Sequence, residues 1–144
     1  MKLFKEESQS AERHAAIRTL NHTYVVDRIF AATLQRLKHE YTATNTTETP
    51  TLDQLGSSIK GSDAWYVDYA STLTPKTLSE SIDFAFTDGA LGRMTREEML
   101  AHLLLHGDYH RGSISQSLAQ FNYPTPKPFT GFLHLFEPTT RRRG

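Results

Sequence analysis

Cysteine is absent from this 144-residue chain, and neither sign of charge is in excess. Without cysteine there is no disulfide, no thiolate-bound zinc or iron–sulfur cluster and no thiol nucleophile, so His and carboxylate side chains are the only strong metal ligands. The 16 basic residues equal the 16 acidic residues in number, so the positive field typical of a nucleic-acid-binding protein is missing. We therefore expect no nucleic-acid partner, and we expect any bound metal to have nitrogen and oxygen ligands.

Long apolar runs are also lacking. No segment approaches the roughly 20 apolar residues of a membrane-spanning helix, and Met1–Ser10 is too charged for a signal peptide. We expect a cytoplasmic protein with no membrane partner. The length suits a single domain over residues 1–144. Its ends, 1–9 and 138–144, are expected to be flexible, and the second of them contains the basic run Arg141–Arg143.

Glycine and proline are missing from Ser10–Glu40, where apolar residues recur at steps of three and four. This pattern predicts a long helix. The polar stretch Tyr41–Pro50 has no periodicity and is interpreted as a loop. Thr51 and Gln54 then form the pattern of a capping box, which predicts a second helix that continues to Leu73 and ends before Pro75.

The periodicity changes to two in Ser81–Phe86, which predicts a strand. Thr87–Gly89 supplies a turn, and Ala90–Arg93 is expected to return as the second arm of a small hairpin. Thr95 and Glu98 form another capping-box pattern, which opens a helix predicted to run to about Phe121, where Asn122 would cap it. Three prolines follow, and we expect one or two further helical turns in Phe129–Phe136. The chain is thus expected to be all-α apart from one hairpin.

Histidines carry the chemistry that the last predicted helix offers. His106 and His110 are four residues apart, so both imidazoles lie on one face and can reach one metal ion. Spacing alone equally permits a pair of His102 and His106, or two polar residues with ordinary hydrogen bonds. His22 lies among the apolar positions Val25, Val26 and Ile29 of the first helix. It is either a hydrogen-bonded core residue or a third metal ligand.

Three separated motifs resemble the DinB-like family of bacterial helical metalloproteins. The first is Leu20-Asn21-His22, with Val26–Phe30 after it; the second is the hairpin and helix entry Thr87–Arg96; the third is the run from His106 to Gly112, HGDYHRG. They occur in the family's order, and the resemblance covers roughly residues 15–118.

The resemblance implies a four-helix bundle that holds a divalent metal through His22, His106 and His110, with water at the open positions. Zinc or nickel is the expected ion and iron or manganese is the alternative, since imidazole suits zinc, nickel, copper and iron alike. Family members include thiol-dependent transferases and isomerases, so a metal-dependent transferase acting on a small thiol or an electrophile is one hypothesis. The alternative is a non-catalytic stress or interaction protein stabilised by its metal. We consider Asp27, Tyr66, Asp108 and Arg111 as candidates for contacts to the ligands or the substrate.

One departure from the family concerns the helix that normally precedes the ligand-bearing one. Only Met1–Gln9 come before Ser10, which is too short for a helix of some 30 Å at 1.5 Å per residue. The chain is therefore expected to lack most of the usual first helix and to leave apolar surface without a partner. Because such surface seldom persists on a monomer, we expect a homodimer whose contact involves the face of Ala15–Leu37 or its neighbours.

Overall fold

The computed structural model describes residues 2–125, with side chains from Ser10 onward. Most of these residues are helical, and a two-stranded antiparallel hairpin precedes the last long helix, which confirms that part of the prediction. The elements in chain order are α1 Lys2–Leu34, α2 Leu52–Ser71, α3 Pro75–Leu78, β1 Ser81–Ala85, β2 Leu91–Thr95 and α4 Arg96–Ala119. Of the four helices in the described part, three are long and α3 has only 4 residues. The turns predicted in Phe129–Phe136 lie outside the described residues.

Helix α1 differs from its predicted bounds at both ends. It begins at Lys2 rather than Ser10, and it ends at Leu34 rather than Glu40. The end is set by Arg36, which takes a left-handed backbone with φ 58°. Its N–H donates to the Thr33 carbonyl at 2.9 Å, and the next N–H, of Leu37, donates to Ala32 at 2.9 Å. These two bonds form a Schellman motif, which usually has Gly or Asn at this position, so the sequence carried no signal for it.

Both predicted capping boxes are present. The Thr51 side chain accepts from the Gln54 N–H, and Thr95 accepts from Glu98, with the reciprocal bonds also formed. The prediction for the end of α2 was less accurate, because α2 stops at Ser71 and Pro75 begins α3 instead of only closing a helix. Proline suits this first helical position because its missing N–H would have no partner there.

Helix α1 contacts both of the other long helices. Tyr66 and Tyr69 of α2 bond main-chain carbonyls of Asp27 and Leu34, in increasing order along both helices, so α1 and α2 run in the same direction. Helix α4 runs the opposite way, since its beginning meets the end of α1. The loop between α1 and α2 must therefore return along α1, and it crosses the side of the bundle where His22 lies.

The hairpin closes one end of this arrangement. Its register pairs Ile82 with Met94 and Phe84 with Gly92, and Gly89 takes φ 87° in the turn. Ile82 packs with Leu34 and Met99 in the buried core. The alternation predicted for Ser81–Phe86 therefore separates a core face from a solvent face, as expected of a half-buried strand.

Arg96, the first residue of α4, joins several chain segments at this end. Its guanidinium donates to the Leu34 carbonyl at 2.5 Å and to the Tyr69 hydroxyl. It also lies 3.6 Å from the Glu80 carboxylate. The C-terminal carbonyls of α1 carry partial negative charge, so a cation there fixes how α1, α2 and α4 meet. None of the helices in residues 2–125 has the length and apolar character needed to cross a membrane.

Candidate metal centre

Three imidazoles meet where α1 packs against α4. The Nε2 atoms of His22 and His106 are 3.1 Å apart, and His110 completes a group whose ring nitrogens lie within 4.8 Å of one another. Two imidazoles bound to one tetrahedral ion at 2.0–2.1 Å would hold their nitrogens about 3.3 Å apart. The structure thus brings the three predicted ligands together at a spacing that suits a single ion.

A main-chain carbonyl orients the His22 ring. The Nδ1 atom of His22 lies 2.7 Å from the carbonyl oxygen of Thr44, in the loop that returns along α1. A carbonyl only accepts hydrogen bonds, so Nδ1 carries the proton and the lone pair of Nε2 faces the other two histidines. This is the tautomer that a metal ligand needs, and histidine ligands commonly donate to a carbonyl in this way.

Hydrogen bonds hold the loop against α1 next to this contact. The Asn21 amide donates to the Asn45 side chain and to the Thr46 hydroxyl, each at 2.6 Å. The guanidinium of Arg18 donates to the Thr46 carbonyl at 2.5 Å. Asn21 is buried, with 3 % of its surface exposed, so the loop position behind His22 is fixed by satisfied polar groups rather than by solvent-exposed contacts.

The environment of His106 disfavours its charged form. Burial lowers the pKa of His106 to about 4, and the neighbouring histidines His110, His22 and His102 add to the effect. Its Nδ1 atom is buried with no hydrogen-bond partner among the described residues, so the charged imidazolium, which has an N–H at both ring nitrogens, could not pair both of them. Burial, followed by the effect of His22, also lowers the pKa of His110. Both imidazoles therefore favour the neutral state that binds a metal.

His102 lies outside the trio. Its ring stacks on Phe30, with centroids 5.2 Å apart, and on His106 at 5.5 Å. The two pairings that spacing left open are thus distinguished by the fold, since α1 presents His22 to His106 and His110 but presents Phe30 to His102.

The remaining predicted site residues have contacts that do not involve the three histidines. Asp27, Tyr66 and Arg111 line a cavity of about 390 Å³ between α1, α2 and α4, and Arg111 forms an exposed ion pair with Asp108 at 2.9 Å. Burial raises the pKa of Asp27 to about 6, the nearby Asp63 raises it further and Arg111 opposes the rise. Tyr66 donates to the Asp27 carbonyl at 2.5 Å. Asp27 and Tyr66 thus meet where α1 packs against α2, whereas Asp108 and Arg111 form their ion pair on the exposed surface of α4.

An apolar cavity of about 370 Å³ adjoins the histidine cluster on the other side. It lies between α1, the hairpin, α4 and the returning loop, and His22 and His106 form part of its wall. Sequence reasoning found neither this cavity nor the role of Thr44. A main-chain carbonyl has no side-chain signature, and no motif indicated that the hairpin would approach the cluster.

The family comparison agrees with the motifs. The model of the DinB family matches residues 4–137, which includes the three histidines, the hairpin and the returning loop. Neither the curated proteins nor the solved structures that were compared with the chain include a match.

Proposed function

The chain belongs to the DinB family, and from that premise we propose that it binds one divalent metal ion through His22, His106 and His110. We further propose that the bound ion serves a transferase reaction between a small thiol and an electrophilic small molecule. The observation that carries the proposal is the meeting of three imidazoles from two helices, with nitrogens within 4.8 Å of one another.

The donor set suits a catalytic rather than a structural metal. Three protein nitrogens leave at least one coordination position open, whereas structural sites use four protein ligands. A metal in such a site supplies Lewis acidity and lowers the pKa of a bound water or thiol. The chain's own contribution is to orient His22 through the Thr44 carbonyl and to keep His106 neutral through burial. Zinc or nickel is the ion we propose; iron also accepts imidazole ligands, and manganese is the weaker candidate because it favours oxygen ligands.

Zinc titration of the metal-free protein tests the site. We expect one ion per chain, and the His106→Ala variant should lose far more than the 10–100-fold typical of a residue that only supports a ligand. His102→Ala is the matched control, because His102 is on the same helix and stacks on His106 without joining the trio. Equal affinity in the wild type and His106→Ala would show that the assignment is wrong. In a separate experiment, elemental analysis of protein purified without a histidine tag identifies the native metal.

We also propose that the protein is a homodimer and that a second copy supplies the helical wall that a four-helix bundle requires. Apolar side chains on the outer faces of α2 and α4 are largely exposed: Val67 at 70 %, Leu104 and Leu105 at 72 % and Tyr109 at 74 %. Their removal from water favours association. The zero net charge means that two copies do not repel each other strongly. The expected dimer contact was the face of Ala15–Leu37 or its neighbours, and these exposed residues are on α2 and α4, which are the neighbours of that face.

A further inference from the structure

The cavity beside the histidine cluster has mostly apolar walls, to which Thr33, Thr44 and Thr87 add uncharged polar groups and His22, His102 and His106 add imidazoles. Val26, Ile29 and Phe30 contribute from α1, and Phe84, Phe86 and Met94 contribute from the hairpin region. Its volume of about 370 Å³ is within the ~300–1,000 Å³ that small-molecule sites occupy. The cavity therefore has room for a compact organic molecule next to the open side of His22 and His106.

The hairpin is built so that aromatic rings shape this space. Phe84 lies opposite Gly92 in the strand pairing, and a methyl group at Gly92 would be 2.6 Å from Cζ of Phe84 and 3.0 Å from the Phe86 ring. Glycine thus lets the Phe84 ring lie across its neighbour strand. The Phe84 and Phe86 rings meet edge to face with centroids 4.9 Å apart, and Phe30 faces Phe84 at 6.4 Å. Such faces and edges are preferred contacts for a further aromatic ring.

The described residues that line the cavity include no permanently charged side chain. Among the described residues that line it, histidine is the only ionisable type, and there is no Lys, Arg, Asp or Glu. A carboxylate, phosphate or ammonium group placed among these walls would lose its hydration without gaining an ion pair. A ligand that occupies the cavity must therefore be uncharged over the part that enters it.

We infer that this cavity binds the uncharged aromatic part of the electrophilic substrate and so directs its reactive atom to the histidine cluster. The inference rests on the proposed function, which it makes more specific. Phe30, Phe84 and Phe86 select an aromatic group, while the charged groups of the thiol partner remain outside the cavity. Phe86 is at the edge of this space, with half of its surface exposed at 50 %, so it contacts the ligand as well as solvent.

Two fluorescent probes of similar shape test the inference on the full chain after removal of metal with EDTA. N-phenyl-1-naphthylamine is neutral, and 8-anilinonaphthalene-1-sulfonate carries a sulfonate. We expect the neutral probe to bind one site per chain and to bind more tightly than the anionic one. Phe86→Lys should weaken binding of the neutral probe about tenfold, because an aromatic contact at the cavity edge is lost and a charge is introduced there. The same variant should narrow or reverse the preference against the sulfonate.

Leu52→Lys is the matched control, since it also puts a lysine in place of a half-exposed apolar residue, at 49 % exposure at the start of α2, away from the cavity lining and from the proposed dimer contact. The neutral probe should bind this variant as it binds the wild type. Loss of binding in Leu52→Lys with retention in Phe86→Lys would place the probe outside the cavity and overturn the inference, as would a preference of the wild type for the sulfonate.

The metal and the cavity are tested separately. Zinc titration examines the histidines without any organic ligand, and probe binding to metal-free protein examines the cavity without zinc. Normal zinc binding with no probe binding refutes the cavity inference alone. Probe binding without zinc binding refutes the proposed metal centre and leaves the selectivity of the cavity standing.

Discussion

Replacing Asp27 by Asn should stabilise the protein above pH 7 and leave its metal affinity unchanged. The pKa of this carboxyl rises from its ordinary 3.8 to about 6, so ionisation costs more in the folded than in the unfolded chain. A shift of about two units corresponds to at most about 3 kcal/mol, and screening by the solvent that reaches this cavity reduces it to about 1–2 kcal/mol. The free energy of unfolding of the wild type should therefore fall by about 1–2 kcal/mol as pH rises from about 4 through about 6.

Urea unfolding of both proteins at pH 4, 5, 6 and 7.5 measures this difference, and titrations common to the two chains cancel in it. The difference in free energy of unfolding between Asp27→Asn and the wild type should grow between pH 4 and 6 and stay constant above about pH 7. Tyr66 bonds the main-chain carbonyl of Asp27, so that contact survives the substitution. Asp68→Asn on exposed α2 surface is the control and should change stability by less than about 0.5 kcal/mol at every pH. A stability difference that does not change with pH would refute the reasoning. A 10–100-fold loss of zinc affinity in Asp27→Asn would instead show that Asp27 helps to orient a metal-binding histidine.

Three further outcomes are expected. Zinc binding at pH 6 should release fewer than about two protons per ion, because the pKa values of His106 and His110 are lowered, whereas three ordinary histidines would release about 2.3. Calorimetry in buffers of different ionisation enthalpy measures the number of protons released, and a release of about 2.3 or more would contradict those shifts. Light scattering should show a dimer at micromolar concentration that Leu104→Glu converts to a folded monomer, and a compact wild-type monomer would refute the proposed assembly. Met99→Ala should lower the free energy of unfolding by about 2–5 kcal/mol, since Met99 is fully buried at 0 % exposure. Urea titration measures this loss, and a loss under about 1 kcal/mol would mean that the core relaxes around the shorter side chain.

The local features of the fold were the most predictable from sequence. Capping boxes act over three residues, and both Thr51 and Thr95 begin helices as predicted. The hairpin followed from alternation and from Gly89, whose left-handed backbone is observed. The trio of His22, His106 and His110 was reachable because the ordered set of family motifs selected it, whereas the i, i+4 spacing alone equally permitted His102 with His106.

Features that depend on tertiary contacts were less accessible. Arg36 adopts a left-handed conformation that its side chain does not favour, so the end of α1 could not be located by residue type. The early start of α1 has no capping signal, and the sequence-based bounds relied on periodicity alone. The approach of Phe84 to the cluster depends on how the hairpin docks, which no periodicity encodes.

The hydrogen bond between His22 and Thr44 would make the returning loop part of the proposed metal equilibrium. A cation on Nε2 draws electron density from the ring and makes Nδ1–H a stronger donor, so occupancy of the site strengthens attachment of the loop. Thermodynamic reciprocity then requires that anything releasing residues 44–46 from α1 weakens metal affinity by the same factor. The polar anchors Asn21 and Arg18 thereby affect affinity at a distance from the ion. Changes in this loop can retune the centre while all three imidazoles stay in place.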